Sequence, residues 1–404
     1  MKISLSLISN LQSLFFTQNI SPLLIAWLQL SHKKSRLIIT TLGVTFSVLL
    51  MFIQLGLRDG MYEDSVTIHK TLAADIVLLS SQTDSFWKIS ARPLPRSILY
   101  NLLSVPGVES VSPFYAGRGN FRNPNNFVKK NIVVCAFKLD KPVFNLPEIN
   151  QQLGLLQKSD TFLFDKLSRS EYGPIAQKLA TQGTLFTELS NHRIRVAGTF
   201  AIGGGVFSAD GLLITSDLNY AEILNEPLEK VHLGLIKLQS GIKPETVIQS
   251  INEKLTSDIQ AITLEKFMEL EKKYWAKATP IGFIFNILAF ISFIFGAIIV
   301  YQIIFTQISD YLDVYATLKA IGYTNIYLIS TVFQEAFLMS VLGYIPGFAI
   351  CQYVYSFIEG ATRLPMFMTS GRALLVFFLT IFMCSVAGML AMNKLRFADP
   401  ADLF

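Results

Sequence analysis

The chain reads as an α-helical membrane protein with four transmembrane helices and a large extracytoplasmic α+β domain between helices 1 and 2. Three observations predict this. Apolar runs at 37–58, 278–309, 326–357 and 373–393 are each long enough to cross a hydrocarbon core of about 30 Å. Residues 59–277 instead mix charges, prolines and alternating patterns. The whole chain is 51% hydrophobic yet 16% charged, with mean hydropathy +0.45, too apolar for an ordinary soluble protein and too polar to lie wholly in a membrane.

Residues 1–36 open the chain. Leu7, Leu11, Leu14 and Phe15 fall at helical spacing, and Ser21 with Pro22 can start a second short helix. A signal peptide is the alternative, but Asn10, Gln12 and Gln18 break the apolar stretch and no small-residue cleavage site follows. The segment is read as an amphipathic piece on the cytoplasmic surface. Lys33, Lys34 and Arg36 precede the first span and place its start inside.

Within 59–277, the stretches 74–80, 131–137, 193–200, 211–216 and 231–238 read as strands, and 244–255 as a helix with Val247, Ile251 and Leu255 on one face. Residues 95–103 and 175–181 are further helix candidates, and 138–170 reads as an inserted subdomain. Residues 264–275 form a helix with Phe267, Leu270 and Tyr274 on one side. The second span, 278–309, would be about 48 Å long as a helix, so its surplus should stand out of the bilayer as a stalk, bent at Pro280. The third span contains Glu335 and the kink-prone Pro346 with Gly347. An outer loop, 358–372, leads to the fourth span and a cytoplasmic tail, 394–404. Basic residues in the short segments (Lys2, Lys33, Lys34, Arg36, Lys319, Lys394 and Arg396, against Arg363 and Arg372 in the outer loop) put both termini in the cytoplasm and the large domain in the periplasm of a multi-pass plasma (inner) membrane protein.

Residues 310–325 join the second and third spans on the cytoplasmic face. Tyr311, Val314, Tyr315 and Leu318 fall at i, i+3, i+4 and i+7, one stripe of a helix, while Asp310, Asp313, Thr317 and Lys319 take the remaining surface. Gly322 can end that helix, and Thr324 or Asn325 can cap the next. Such a helix either rests on lipid headgroups or docks its stripe into a groove on a soluble partner. Glu335 is the one acid well inside an apolar run. An ionisable residue there marks either function or a packing hydrogen bond to Ser or Thr of a neighbouring helix.

Other chemistry is excluded by pattern. There is no G-x-x-x-x-G-K, since Gly203, Gly204 and Gly205 run into Val206, so they read as a tight turn. His32, His69, His192 and His232 stand singly, and Cys135, Cys351 and Cys384 form neither a metal pair nor a disulfide framework. No G-x-S-x-G elbow occurs. The net charge of +5 is scattered, which gives no nucleic-acid surface. The chain is therefore read as no enzyme.

The stretch YATLKAIGYTNIYLISTVFQEAFLMSVLGYIPG resembles the signature of FtsX-type ABC transporter permeases, and the layout of one span, a large outer domain and three spans resembles the MacB type. AWLQLSHKKSRLIITTLGVTFSVLLMFIQLGLRDGMYEDS, GTFAIGGGVFSADGLLITSDLNYAEIL and LRFADPADLF resemble the cyanobacterial DevC-like permeases, exporters of heterocyst envelope glycolipid. The resemblance implies a MacB-like, type VII ABC fold and ATPase coupling through Tyr311, Val314, Tyr315, Leu318, Lys319, Ile321 and Gly322. It implies no cofactor on this chain, with ATP and Mg on a separate ATPase subunit. It also implies a homodimer, a membrane-fusion adaptor, a TolC-like outer-membrane duct and contact with membrane lipid. The expected function is the permease subunit of an ATP-driven exporter that moves a periplasmic or lipid-derived substrate by mechanotransmission. The alternative is an FtsX-like signalling or scaffold protein that relays ATPase motion to an extracytoplasmic hydrolase.

Overall fold

The structure, a computed structural model, describes residues 34–203, 210–310 and 323–392, with Trp27 and Leu30 in isolation. Backbone in hydrocarbon has to satisfy its polar groups within its own segment, and the first apolar run does so as helix α1, Lys34–Ser65. Arg58 and Asp59, where the sequence suggests a stop, do not end it. The Arg58 guanidinium instead donates to Asn286 Oδ1 at 2.8 Å. A short helix α2, Thr67–Thr71, follows.

Among the described residues, eleven strands come next in chain order, with helices between them: β1 (Ile76–Ser80), β2 (Leu94–Pro95), α3 (Arg96–Asn101), β3 (Val108–Arg122), β4 (Lys129–Phe137), β5 (Thr161–Asp165), α4 (Ile175–Gln182), β6 (Leu185–Leu189), β7 (His192–Phe200), β8 (Leu212–Ser216), α5 (Asp217–Leu224), β9 (Lys230–Val231), β10 (Leu233–Leu238), α6 (Pro244–Asn252), β11 (Ile259–Thr263) and α7 (Leu264–Lys277). Nine of the strands make one mixed sheet in the order β11-β1-β10-β3-β4-β8-β5-β7-β6, and β2 pairs with β9 apart from it. β6 returns to the far end of β3 through Phe121 opposite Leu189, so six strands from β3 round to β6 curl into a ring.

The sheet is covered on both faces along β1, β10, β8 and β5, which explains why β1, β8 and β10 read as nearly continuous apolar runs, whereas β6 and β7 leave one face exposed. On one face Ile76, Leu78, Tyr115, Phe121, Val134 and Ala136 pack with Leu99, Tyr220 and Ile251 from α3, α5 and α6. On the other, Val77, Leu79, Phe114, Cys135 and Phe137 pack with Phe86, Phe144 and Phe267. The alternation along β1 and β4 sends each successive side chain to the opposite core.

Two expectations need correction. Residues 138–170 are not a separate insertion, because β5 lies between β8 and β7 in the main sheet. Pro280 does not bend a continuous helix. α7 ends at Lys277, and Pro280 is the first residue of helix α8, Pro280–Asp310, where its missing N–H costs nothing. Helices α9 (Asn325–Thr362, with Pro346 inside it) and α10 (Ser370–Ala391) complete the chain described. Arg363, at φ 61°, turns the backbone out of α9, and the connection to α10 is shorter than the loop expected over 358–372. Among the described residues, α1, α8, α9 and α10 are the four helices long and apolar enough to cross a membrane. The chain divides into two compact units, Met1–Arg58 with Ile284–Ile358 and Met366–Phe404, and Asp59–Phe283 with Glu359–Pro365.

Candidate functional site

In the helical unit, interhelical packing rests on small residues that let backbones approach, as lipid-embedded helices require. A Cβ at Gly343 or Gly347 of α9 would run into Val44 or Val48 of α1, and Thr45 Oγ1 donates to the Gly343 carbonyl at 3.0 Å. Gly296 of α8 lies against Ser47 and Met383, and Gly388 of α10 faces Ile304, Val332 and Ala336. The buried stripe of α9 reads Leu328, Thr331, Val332, Glu335, Ala336, Met339 and Ser340, at the spacing of one helix face.

Glu335 therefore lies inside the helix packing, with no exposed surface. It is ten residues beyond Asn325, roughly 15 Å along the helix. Gln307 of α8 and Thr331 are buried as well, so the carboxyl belongs to a unit with other polar groups in its interior.

A second polar knot lies at Tyr355. Its hydroxyl donates to the Phe52 carbonyl at 2.5 Å and accepts from the Arg372 guanidinium at 3.2 Å. Arg372 also donates to the Phe367 carbonyl at 3.0 Å. The sequence suggests a loop for Arg372. It stands instead in the first turn of α10, buried, behind a Thr369 cap whose hydroxyl accepts from its N–H. The signal that finds it is Thr-Ser-Gly-Arg just before an apolar run, which is a helix start.

Of the residues expected to couple to an ATPase, Tyr311, Val314, Tyr315, Leu318, Lys319, Ile321 and Gly322 lie outside the described residues. Their flanks are described. α8 closes at Asp310, and α9 opens with Thr324 accepting from the Tyr327 N–H at Oγ1, 3.3 Å. The rings of Tyr323 and Tyr327 pack at 4.6 Å.

The α+β unit carries two buried titratable groups that a reading of exposed charges passes over. Glu271 accepts from Phe86 N at 2.6 Å, Ser85 Oγ at 3.1 Å and Trp275 Nε1 at 2.9 Å. Burial raises its pKa, against those hydrogen bonds. His69 packs between Phe86 and Phe267, ring centroids 5.2 and 4.7 Å away, and burial lowers its pKa to about 3. Glu271 was legible in principle, because it occupies the apolar register of Phe267 and Tyr274. Gly203, the first of the three glycines, has φ 73° and donates its N–H to Asp165 at 2.9 Å; the rest of that loop lies outside the described residues. Among the described residues, no three His, Cys, Asp or Glu side chains gather as a metal site.

Residues 286–400, which hold α9, α10 and most of α8, match the family model described as FtsX-like permease C-terminal. No curated protein matches the chain. Among solved structures, the chain is similar to the periplasmic region of MacB from Actinobacillus actinomycetemcomitans, at 10% identity and TM-score 0.34, over 50% of this chain and 94% of that one. It is also similar to the extracellular domain of the noncanonic ABC-type transporter YknZ from Gram-positive bacteria, at 11% identity and TM-score 0.33, over 46% of this chain and 98% of that one. A domain of a putative permease protein from Porphyromonas gingivalis is similar at 16% identity and TM-score 0.30, over 48% of this chain and 90% of that one.

Proposed function

We propose that the chain is the membrane subunit of an ATP-driven ABC transporter of the FtsX and MacB type. The observation that carries this is the FtsX-like permease domain at 286–400 in a chain whose four apolar helices flank a large α+β domain. In this reading the segment 310–325 is a cytoplasmic helix that presents Tyr311, Val314, Tyr315 and Leu318 to a separate ATPase, with Lys319, Ile321 and Gly322 completing the contact. ATP and Mg would be bound there, not on this chain. Both termini would be cytoplasmic and the α+β domain periplasmic.

Closure of the ATPase would push the segment against α8 and α9, and the moving helices would deliver work to the outer domain. Because the apolar helices offer no row of charges, the reading is of force transmission and not of a polar pore. A homodimer, a membrane-fusion adaptor and an outer-membrane duct complete the proposed export complex. A DevC-like, glycolipid-exporting assignment rests on the resemblance of the stretches quoted above, and lipid analysis of the purified complex tests it.

The coupling proposal is tested by Tyr315→Asp with Leu318→Asp in the complex reconstituted with its ATPase. Two charges on a docking stripe should lower both export and permease-stimulated ATP hydrolysis at least about tenfold, the scale of losing one hot spot. Unchanged export with intact stimulation would sink the proposal.

A further inference from the structure

The turn between β3 and β4 and the adjoining hairpin of β6 and β7 enclose a cleft of about 260 Å³, lined by Arg122, Phe127, Phe186, Glu188 and Arg193 among others. Its walls are unusual for a surface washed only by water. Phe127 is 62% exposed and Phe186 51%, and Val128 beside them is exposed too. A guanidinium covers each ring: Arg122 lies 4.8 Å from the centre of Phe127, and Arg193 lies 4.5 Å from that of Phe186.

The backbone holds this display at a cost. Phe127 sits at φ 60°, a conformation that bulky residues seldom adopt. An Asn123-centred turn holds it there: Phe127 N donates to the Asn123 carbonyl, Asn123 N to the Val128 carbonyl, and the Asn123 side chain to the Glu171 carbonyl. On the other wall, Arg122 pairs with Glu188 at 2.6 Å.

Charge and size narrow the occupant. Residues 115–131 and 185–196 carry six Lys and Arg (Arg118, Arg122, Lys129, Lys130, Arg193 and Arg195); Arg122 pairs with Glu188 and Lys130 with Glu171, which leaves the other four in excess of acid. A cleft of this volume falls below the roughly 300–1,000 Å³ of small-molecule sites, and it suits one or two side chains of a protein partner. Exposed aromatics flanked by Arg, with cations in excess around them, form the composition of an interface centre. We propose that this cleft docks an acidic segment of a partner protein, which seats one aromatic or aliphatic side chain between Phe127 and Phe186 and sets its carboxylates against Arg193 and the surrounding cations.

The test uses the full-length protein in detergent and two labelled decapeptides, one alternating Asp with Val around a central Trp, the other with Lys for each Asp. Fluorescence anisotropy should show the Asp peptide binding and the Lys peptide not, with affinity falling as salt rises. Arg193→Glu or Phe186→Ala should weaken the Asp peptide about tenfold, and Arg193→Lys, which keeps the charge but loses the planar stack, should fall between. The proposal is overturned if the Asp peptide does not bind, if the two peptides bind alike or if the substitutions change nothing. It is equally overturned if vesicles of anionic phosphatidylglycerol displace the peptide, since that result assigns the cleft to lipid.

Discussion

The two units of the molecule use the same apolar alphabet for opposite ends. In the α+β unit, Phe114, Phe121, Phe137, Phe144, Phe162 and Phe200 are fully buried, and the sheet is sealed by aromatic rings on both faces. In the helical unit many large side chains face outward, as at Phe290, Phe295 and Ile298 of α8, and glycines at the helix contacts let backbones approach around a smaller set of buried large residues such as Phe52 and Tyr355. The difference is one of solvent. Water drives bulk inward and rewards large buried surfaces, whereas lipid is as apolar as leucine and leaves close packing and hydrogen bonds as the forces between helices.

One substitution applied in both units breaks or sharpens this contrast most strongly. Phe121→Ala should destabilise the α+β unit by about 3–5 kcal/mol, the cost of a core cavity. Phe295→Ala should change stability by less than about 0.5 kcal/mol, as at an ordinary surface position. Thermal unfolding of the detergent-solubilised protein checks both, and a large loss at Phe295 would mean that protein, not lipid, covers that face.

Next in size is Gly347→Leu. The added side chain meets Val48 across a close helix contact, and overpacking of that kind costs about 1–3 kcal/mol. The loss should appear as reduced recovery of folded protein from membranes. A similar loss from Gly241→Leu, at a position with open space around the Cβ but φ 87°, would show that backbone strain and not packing dominates.

The remaining effect is graded by pH. His69 is held neutral, with its pKa near 3 in the folded state against about 6.5 unfolded, so the unfolded chain binds more protons between those values. Stability should be full above pH 6.5 and fall as pH drops below it, by up to roughly 1.4 kcal/mol for each pH unit. Glu271 works in the reverse sense. Its raised pKa makes stability fall as pH rises from its ordinary value through the folded one. His69→Phe should remove the acid-side loss, measured as melting temperature against pH, and an unchanged profile would show that another group is responsible.

The fold class was legible because its signals are long. Four apolar runs and an intervening α+β region need no fine detail to read. β3 was not, since Pro113, Gly117 and Gly119 look like breakers within it. The structure accounts for the glycines by close approach: Tyr220 meets the strand at Gly117 and Leu189 at Gly119, leaving no room for side chains. β5, β6 and β11 carry polar residues (Thr161 and Asp165, Thr187 and Glu188, Gln260 and Thr263) that interrupt the apolar run by which β1 and β8, equally five residues long, stand out. Arg372 was misread because charge suggests a loop, while burial against Tyr355 depends on a partner distant in sequence. At the candidate site, a stripe of Tyr and Leu establishes a face but not what the face meets, which only a second protein can supply.

β3 has a mechanical consequence. Fifteen residues at about 3.3 Å each make a beam of about 50 Å, gripped by β10 over its first half, by β4 over its second and by β6 at its tip. The hydrogen bonds to β10, β4 and β6 join the two ends of this strand through one continuous ladder, so the 123–128 turn is tied by backbone to the strand that β10 holds.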